Sequence, residues 1–157
     1  MEIVLLTIGK TADREISALT EKYVGRLRHY IPFRIDNLPD VKRGKANPPE
    51  RQKILEGELL LGKIEASDHL CLLDERGTEL TSGEFADLLQ KRMTSGLRRL
   101  IFAIGGPYGF SEAVYLRADS KLSLSRMTFN HEMVRLFFTE QIYRGMTILR
   151  GEPYHHD

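Results

Sequence analysis

The sequence predicts an α/β fold in which helices flank a mostly parallel sheet. Short apolar runs rich in β-branched residues alternate along the chain with longer segments of helical periodicity. Several of these runs stop abruptly at glycine or at polar residues, as strands do where they leave a sheet. The 157 residues suit one domain, and no repeat, low-complexity segment or linker divides residues 1–157.

The strands are predicted from the short apolar runs. The first run, EIVLLTI, ends at Gly9, and the second is opened by Pro32. Because proline cannot donate to a ladder, we expect the second strand near an edge of the sheet. In chain order the predicted strands cover residues 2–8, 32–38, 69–73, 99–104 and 121–124.

The helices are predicted from apolar periodicity behind residues that cap helix N-termini. Thr11 or Asp13 can cap the first helix, and Pro49 suits the start of the second. Thr81 and Glu84 have the spacing of a capping box. Ser111 is expected to cap a short helix. The predicted helices after the first, which reaches Leu27, cover residues 50–66, 82–95, 111–117 and 131–149.

Composition and missing motifs exclude several classes of protein. The net charge of +1 does not indicate a nucleic-acid binder by bulk charge alone. No dinucleotide fingerprint, Walker A motif or serine-hydrolase elbow is present, and the histidines lack zinc spacing. The single cysteine, Cys71, is expected to be a small buried hydrophobe. Without a signal peptide or a span of ~20 apolar residues, we expect a cytoplasmic protein with no membrane segment and no metal.

Three strand ends form a candidate ligand site. Ligands of open parallel sheets bind outside the carboxyl ends of the strands. Here those ends carry Leu73-Asp74, Ile104-Gly105-Gly106 and Leu124-Ser125. The Gly-Gly-Pro-Tyr-Gly segment is, taken alone, either a tight strand-to-helix turn or one wall of such a site.

The last helix is apolar around most of its circumference. Such a helix is either central to the core or shared with a second subunit. Within it, Glu140 and Arg144 are spaced i,i+4, which suits a surface ion pair or a role in a site. The adjacent His155 and His156 lie on a terminal tail, where solvated side chains are usual.

One local cluster of cations stands out in the loop that follows the second strand and in the next helix. Such a cluster is either solvated surface or a grip for phosphates, which would bind without reading sequence. The cluster consists of Lys42, Arg43, Lys45, Arg51 and Lys53.

Three segments together resemble the ribosomal large-subunit methyltransferase H family. They are IGGPYGF (104–110), LSLSRMTFNHEMVRLFFTEQIYR (122–144) and the tail PYHHD (153–157). These enzymes are small members of the SPOUT class of S-adenosylmethionine-dependent RNA methyltransferases. The resemblance covers essentially the whole chain, including the KRGK loop and the LLDERG turn.

The resemblance implies a deep trefoil knot at the C-terminal end of the α/β fold, and a homodimer whose knotted regions pack together. It also implies S-adenosyl-L-methionine as cofactor, bound at the strand ends identified above. Carried over by position, the cofactor-binding residues are Leu73, Gly105, Leu124, Ser125, Arg126, Met127, Thr128 and Phe129.

The reaction implied by the resemblance is methylation at N3 of a pseudouridine in helix 69 of 23S rRNA, on the assembled 70S ribosome. The N3 proton must be removed, and Tyr154 and His155 match the family's tail as catalytic candidates. His155 is favoured because an imidazole titrates near neutrality. The implied RNA contacts are Arg144, Glu140, His156, Lys42, Arg43 and Lys45.

The chain departs from the family pattern at His156, where many relatives carry Lys or Arg. A neutral imidazole there weakens any phosphate contact and leaves open which histidine acts. Three other functions are alternatives to this one. They are a non-catalytic ribosome-associated factor, a SPOUT methyltransferase acting on tRNA, and an unrelated α/β enzyme acting on a small molecule.

Overall fold

Five parallel strands form one sheet in the computed structural model, which describes residues 1–42 and 44–156. The spatial order is β2-β1-β4-β3-β5, so β2 lies at an edge, as Pro32 predicts. The strands are β1 (Glu2–Ile8), β2 (Phe33–Leu38), β3 (His69–Glu79), β4 (Arg99–Ile104) and β5 (Ser120–Ser123).

Helices connect the strands and begin at the residues that the sequence marks as caps. Asp13, rather than Thr11, caps the first helix by accepting from the N–H of Ile16. The capping box of Thr81 and Glu84 is present, and the Ser111 side chain caps the short helix. The helices are α1 (Arg14–Leu27), α2 (Pro49–Leu61), α3 (Ser82–Thr94), α4 (Glu112–Arg117) and α5 (Met133–Leu149).

Two element boundaries differ clearly from the sequence prediction. Helix α2 ends at Leu61 instead of residue 66, because the N–H groups of Lys63 and Ile64 donate to the carbonyls of Leu60 and Leu61, three residues back, and so replace the α-helical pattern with a tightened turn. Strand β3 continues to Glu79 instead of ending at Leu73. The polar residues after Leu73 gave no local sign of this extension.

The extension of β3 depends on a bulge beside β5. Leu73 and Thr78 both pair with Leu122, so the residues between them leave the regular ladder. At Gly77 the two backbones approach so closely that a Cβ atom would lie 2.5 Å from the Leu122 carbonyl carbon. Only glycine therefore fits at this crossing, and the bulge turns Asp74, Glu75 and Arg76 toward the carboxyl edge of the sheet.

The sheet separates two apolar layers. On one face α1, α3 and α5 pack through a cluster that includes Leu27, Phe85 and Phe138. On the other face α2 and α4 contribute Leu60 and Val114. Cys71 is buried in the first cluster, and burial raises the pKa of its thiol to about 11. Its predicted role as a small buried hydrophobe is confirmed.

The start of α5 is fastened to the loop between β1 and α1. The buried Arg135 donates from Nη1 to the Gly9 carbonyl at 2.9 Å and from Nη2 to the Ile8 carbonyl at 2.8 Å. Glu132 accepts from the N–H groups of Ala12 and Asp13 at 2.8 and 3.0 Å. These contacts fix the end of α5 that borders the cavity described next. The trefoil knot and the single domain over residues 1–157 stay predictions.

Candidate active site

A cavity of about 630 Å³ opens where β4 and β5 end and where the bulge after Leu73 interrupts β3. Leu73 of β3, Ile104 of β4 and Ser123 of β5 reach it together. This volume lies within the range of small-molecule and cofactor sites. The strand ends that the sequence marks as a candidate site are thus brought to one place.

The Gly-Gly-Pro-Tyr-Gly segment forms one wall of this cavity. Gly109 has a φ of 81° and donates to the carbonyl of Gly106 at 3.0 Å, which closes a tight turn with Pro107 at its first corner. Tyr108, at the tip of the turn, is nearly half exposed. The segment is therefore both a turn and a cavity wall.

All but one of the residues predicted to bind the cofactor line the cavity. The exception is Arg126, whose side chain is 89% exposed and lies 3.6 Å from Glu79. A backbone contact by Arg126 stays a prediction. The predicted residues that line the cavity are Leu73, Gly105, Leu124, Ser125, Met127, Thr128 and Phe129.

The cavity lining combines apolar side chains, exposed backbone and charged side chains. One side presents apolar side chains such as Ile104, Leu122 and Leu124. At Gly105 an added Cβ atom would lie 3.3 Å from the Gly109 backbone of the same turn, so glycine avoids a tight contact there and leaves the backbone bare. The rim carries the charged residues Asp74 and Arg76. The site therefore offers apolar contact, bare backbone and charge to one ligand.

Asp74, part of a strand end that the sequence marks, lines the cavity, and so do three rim residues that were not among the predicted site residues, Lys53, Arg76 and Tyr115. Arg76 could have been found, because polar residues directly after a buried apolar run mark the ligand edge of a parallel sheet. Lys53 and Tyr115 gave no such signal, since they reach the cavity from α2 and α4.

The tail folds back along α5 and forms a polar cluster there. The Tyr154 hydroxyl donates to Glu140 Oε1 at 3.0 Å, and Arg144 Nη2 donates to the same oxygen at 2.7 Å. Arg144 Nη1 lies 3.2 Å from His155 Nδ1. The predicted tail and helix residues are thus in direct contact with one another.

Tyr154 is held in its neutral form. Burial, the nearby Tyr23 hydroxyl at 3.3 Å and the Glu140 carboxylate all raise the pKa of Tyr154 well above its ordinary value. A phenol with a raised pKa is a poor base at neutral pH. Within this cluster, the imidazole of His155 is the better candidate for accepting a proton.

The tail cluster and the cavity are separate within one chain. Val134, in the first turn of α5, lines the cavity, whereas Tyr154 and His155 do not. Glu140 and Arg144 follow Val134 by about 9 and 15 Å along the helix axis at the usual rise. Bringing the two together requires movement of the tail or a second protomer.

The predicted basic cluster is divided, because Lys53 lines the cavity whereas Lys42 and Lys45 do not. Lys42 and Lys45 are exposed, and the Lys42 carbonyl accepts from the Asn47 side chain at 2.7 Å. Arg43 lies outside the described residues. His156, at the other end of the chain, is exposed.

Within residues 1–42 and 44–156, no cluster of three or more histidine, cysteine or acidic side chains could hold a metal ion. The helices of the same residues include none that is long and apolar enough to cross a membrane.

Known proteins match this chain over nearly its whole length. A relative from Christiangramia forsetii is named ribosomal RNA large subunit methyltransferase H and is 57% identical. The match covers 99% of this chain and 99% of the relative. A relative of the same name from Porphyromonas gingivalis is 53% identical over 100% of both chains. Another from Flavobacterium johnsoniae is 53% identical over 99% of both.

A solved structure of a probable methylase family protein from Haemophilus influenzae shares the fold at a TM-score of 0.55 and 10% identity. It is matched over 95% of this chain and 66% of its own length. The family model described as predicted SPOUT methyltransferase matches residues 1–155. The chain therefore belongs to the SPOUT methyltransferase family.

Proposed function

We propose that this protein transfers a methyl group from S-adenosyl-L-methionine to N3 of a pseudouridine in helix 69 of 23S rRNA, on the assembled 70S ribosome. Family membership makes it a methyltransferase, which needs a methyl donor. The relatives named ribosomal RNA large subunit methyltransferase H support an rRNA substrate. The observation that carries the proposal is the cavity formed by the ends of β4 and β5 and the bulge of β3.

The cavity residues would hold the donor by its nucleoside. Leu73, Gly105 and the segment 124–129 offer backbone groups and apolar surface where an adenosine can lie. S-adenosylmethionine, when bound, supplies an electrophilic methyl group. The chain itself contributes positioning, which in a displacement reaction can account for much of the rate.

The tail residues would prepare the acceptor nitrogen. A pseudouridine N3–H must lose its proton, and His155 is the proposed base. Arg144 lies within hydrogen-bond distance of His155 and would also contact the target nucleotide. Glu140 fixes Arg144 through the hydrogen bond and ion pair at 2.7 Å. Tyr154, in its neutral form, positions the Glu140 carboxylate by donating a hydrogen bond to it.

The proposed homodimer is supported by the separation of cavity and tail and by an exposed apolar surface on α5 and the segment before it. Phe129 and Phe137 pack edge to face at 5.4 Å, yet their side chains remain about 40% exposed. Met127 beside them is 76% exposed. A second copy covering this surface would bury three large apolar side chains next to the cavity.

The RNA surface is proposed to include the tail and the basic segment. Arg144, Glu140 and His156 lie at the tail cluster, whereas Lys42, Arg43 and Lys45 would contact phosphates elsewhere on the ribosome. Because the proposed substrate is the ribosome, we also propose a cytoplasmic location.

A transfer assay with labelled S-adenosylmethionine tests the proposal. The acceptors are 70S ribosomes, 50S subunits, free 23S rRNA and tRNA, all lacking the modification. We expect label on 23S rRNA within 70S ribosomes and little on the other acceptors. Label on tRNA alone would contradict the proposed substrate, and no binding of the donor in calorimetry would contradict the proposed chemistry.

A further inference from the structure

Three rim residues form a hydrogen-bonded triad that the cofactor-binding positions carried over from the family do not include. Arg76 Nη2 donates to the Tyr115 hydroxyl at 2.8 Å, and that hydroxyl donates to Asp74 Oδ2. Asp74 Oδ1 accepts from the backbone N–H of Arg76 at 2.8 Å and lies 3.4 Å from Arg76 Nε. All three residues line the cavity.

Within the triad the negative charge of Asp74 is buried, whereas the positive charge of Arg76 is exposed. The Asp74 side chain is 7% exposed, whereas that of Arg76 is 70% exposed. Burial would raise the pKa of Asp74, but the hydrogen bonds from Tyr115 and from the Arg76 backbone outweigh it and keep the carboxyl ionised. The buried carboxylate therefore anchors an exposed guanidinium.

The Arg76 guanidinium makes one further contact, with the face of the Tyr115 ring. Its central carbon lies 5.4 Å from the centre of the Tyr115 ring. Of its five N–H donors, two serve Tyr115 and Asp74 among the described residues. Three donors remain for an acceptor in the cavity, and a guanidinium is well matched to a carboxylate.

The polarity of the cavity orients a nucleoside that carries a charged end. Its apolar side, with Ile104, Leu122 and Leu124, suits the adenine ring, while the charged groups lie on the rim. The donor ends in an α-amino acid, which carries an ammonium and a carboxylate. Glu75, next to Arg76 on the rim, supplies the charge opposite to the guanidinium.

We propose that Arg76, positioned by Tyr115 and Asp74, binds the carboxylate of the amino-acid end of the methyl donor. This inference rests on the proposed function, because it assumes that the cavity holds that donor. It assigns to the LLDERG turn a specific role, which is to distinguish the full cofactor from adenosine fragments.

The test compares two ligands by calorimetry. S-adenosylhomocysteine keeps the amino-acid end, whereas 5′-methylthioadenosine keeps the nucleoside and sulfur without it. We expect Arg76→Gln to weaken S-adenosylhomocysteine about tenfold or more, as for loss of a charged hydrogen bond, and to leave 5′-methylthioadenosine unchanged. Tyr115→Phe should cause a smaller loss with the same selectivity.

Arg98→Gln is the matched control, because Arg98 is an exposed arginine just before β4, at the amino end of the strand, whereas the cavity lies at the carboxyl end. It should bind both ligands as the wild type does. Equal weakening of both ligands by Arg76→Gln, or of neither, would overturn the subsite. If the wild type bound neither ligand, the proposed function itself would fail, so the two failures are distinguishable.

Discussion

Glu140 and Tyr154 join the last helix to the tail through a hydrogen bond of 3.0 Å between Tyr154 Oη and Glu140 Oε1. The same carboxylate oxygen accepts from Arg144, which in turn contacts His155. The Tyr154 ring also packs edge to face on Tyr143 at 4.8 Å. The tail is thus an ordered part of the molecule, and its proposed base is held by residues of α5.

Tyr154→Phe should lower the rate of methyl transfer about tenfold without changing its dependence on pH. The hydroxyl positions Glu140, and its raised pKa keeps it neutral throughout the range of the assay. Single-turnover rates on 70S ribosomes between pH 6 and 9 measure both effects. A shift of the pH profile in the variant would mean that Tyr154 itself titrates during the reaction.

His155→Ala should lower the same single-turnover rate by about 100-fold or more, because it removes the proposed base. His29→Ala is the control, since His29 is exposed and its backbone, which the substitution keeps, accepts a hydrogen bond from Arg150 and donates one to Arg26. With cofactor saturating, wild-type turnover by the His155 variant would refute its assignment as base.

Gly77→Ala should destabilise the protein by about 2–3 kcal/mol, because its Cβ would overlap the backbone of Leu122. Since this crossing shapes the rim, S-adenosylhomocysteine should also bind more weakly. Gly83→Ala in α3 is the matched control, because nothing lies within 4 Å of the added atom. Urea unfolding of both variants checks the difference, and equal stability would argue against a close crossing.

The sequence was most informative where the determinants are local. Caps such as Asp13 and Thr81, and the glycine turn after β4, depend on neighbours within a few residues, so the strand ends could be predicted. The extension of β3 could not, because residues 74–79 resemble a polar turn and only the distant Leu122 holds them beside β5. The burial of Arg135 could not be predicted either, because the carbonyls that accept its hydrogen bonds lie far away in the sequence, at the end of β1 and just after it.

The site was predictable to a similar degree. The apolar run ending at Leu73 and the glycines after Ile104 identified the ligand edge of the sheet. The Arg76–Tyr115–Asp74 triad combines residues from two elements, and its partners become evident only once α4 is placed beside β3. The path of the tail could not be predicted for the same reason, because the tail residue Tyr154 contacts Tyr23, which belongs to the distant helix α1.

Asp68 should make stability depend on pH on the acid side. Its burial opposes ionisation, but the hydrogen bonds from Arg99 and from the Glu65 backbone N–H, together with the charges of Arg99 and Arg117, outweigh burial and lower the pKa of Asp68. A lowered folded-state pKa stabilises the protein above the unfolded value of about 3.9, and this contribution is lost as pH falls through the folded value. Asp68→Asn should therefore cost about 2 kcal/mol at pH 7 and lose less stability than the wild type between pH 5 and 3.

Urea unfolding at several pH values measures the Asp68 effect. Glu65→Gln is a suitable control, because Glu65 is largely exposed and lies 3.7 Å from Arg99. It should follow the wild-type pH profile closely. Parallel profiles for the wild type and Asp68→Asn would show that this ion pair does not govern stability in acid.

Phe137→Glu should dissociate the proposed homodimer, because it places a charge within the exposed apolar surface formed with Phe129. Sedimentation velocity should show a dimer for the wild type and a monomer for the variant. Leu116→Glu is the control, since Leu116 is 80% exposed on α4, away from α5. A monomeric wild type would refute the dimer.

Nucleoside mass spectrometry of 23S rRNA tests the central claim most directly. Unmodified 70S ribosomes are incubated with the protein and S-adenosylmethionine, and the helix 69 fragment is then isolated and digested. The account predicts N3-methylpseudouridine in that fragment, and none after incubation without the protein. A methyl group on another nucleoside, or no methylation at saturating cofactor, would contradict it.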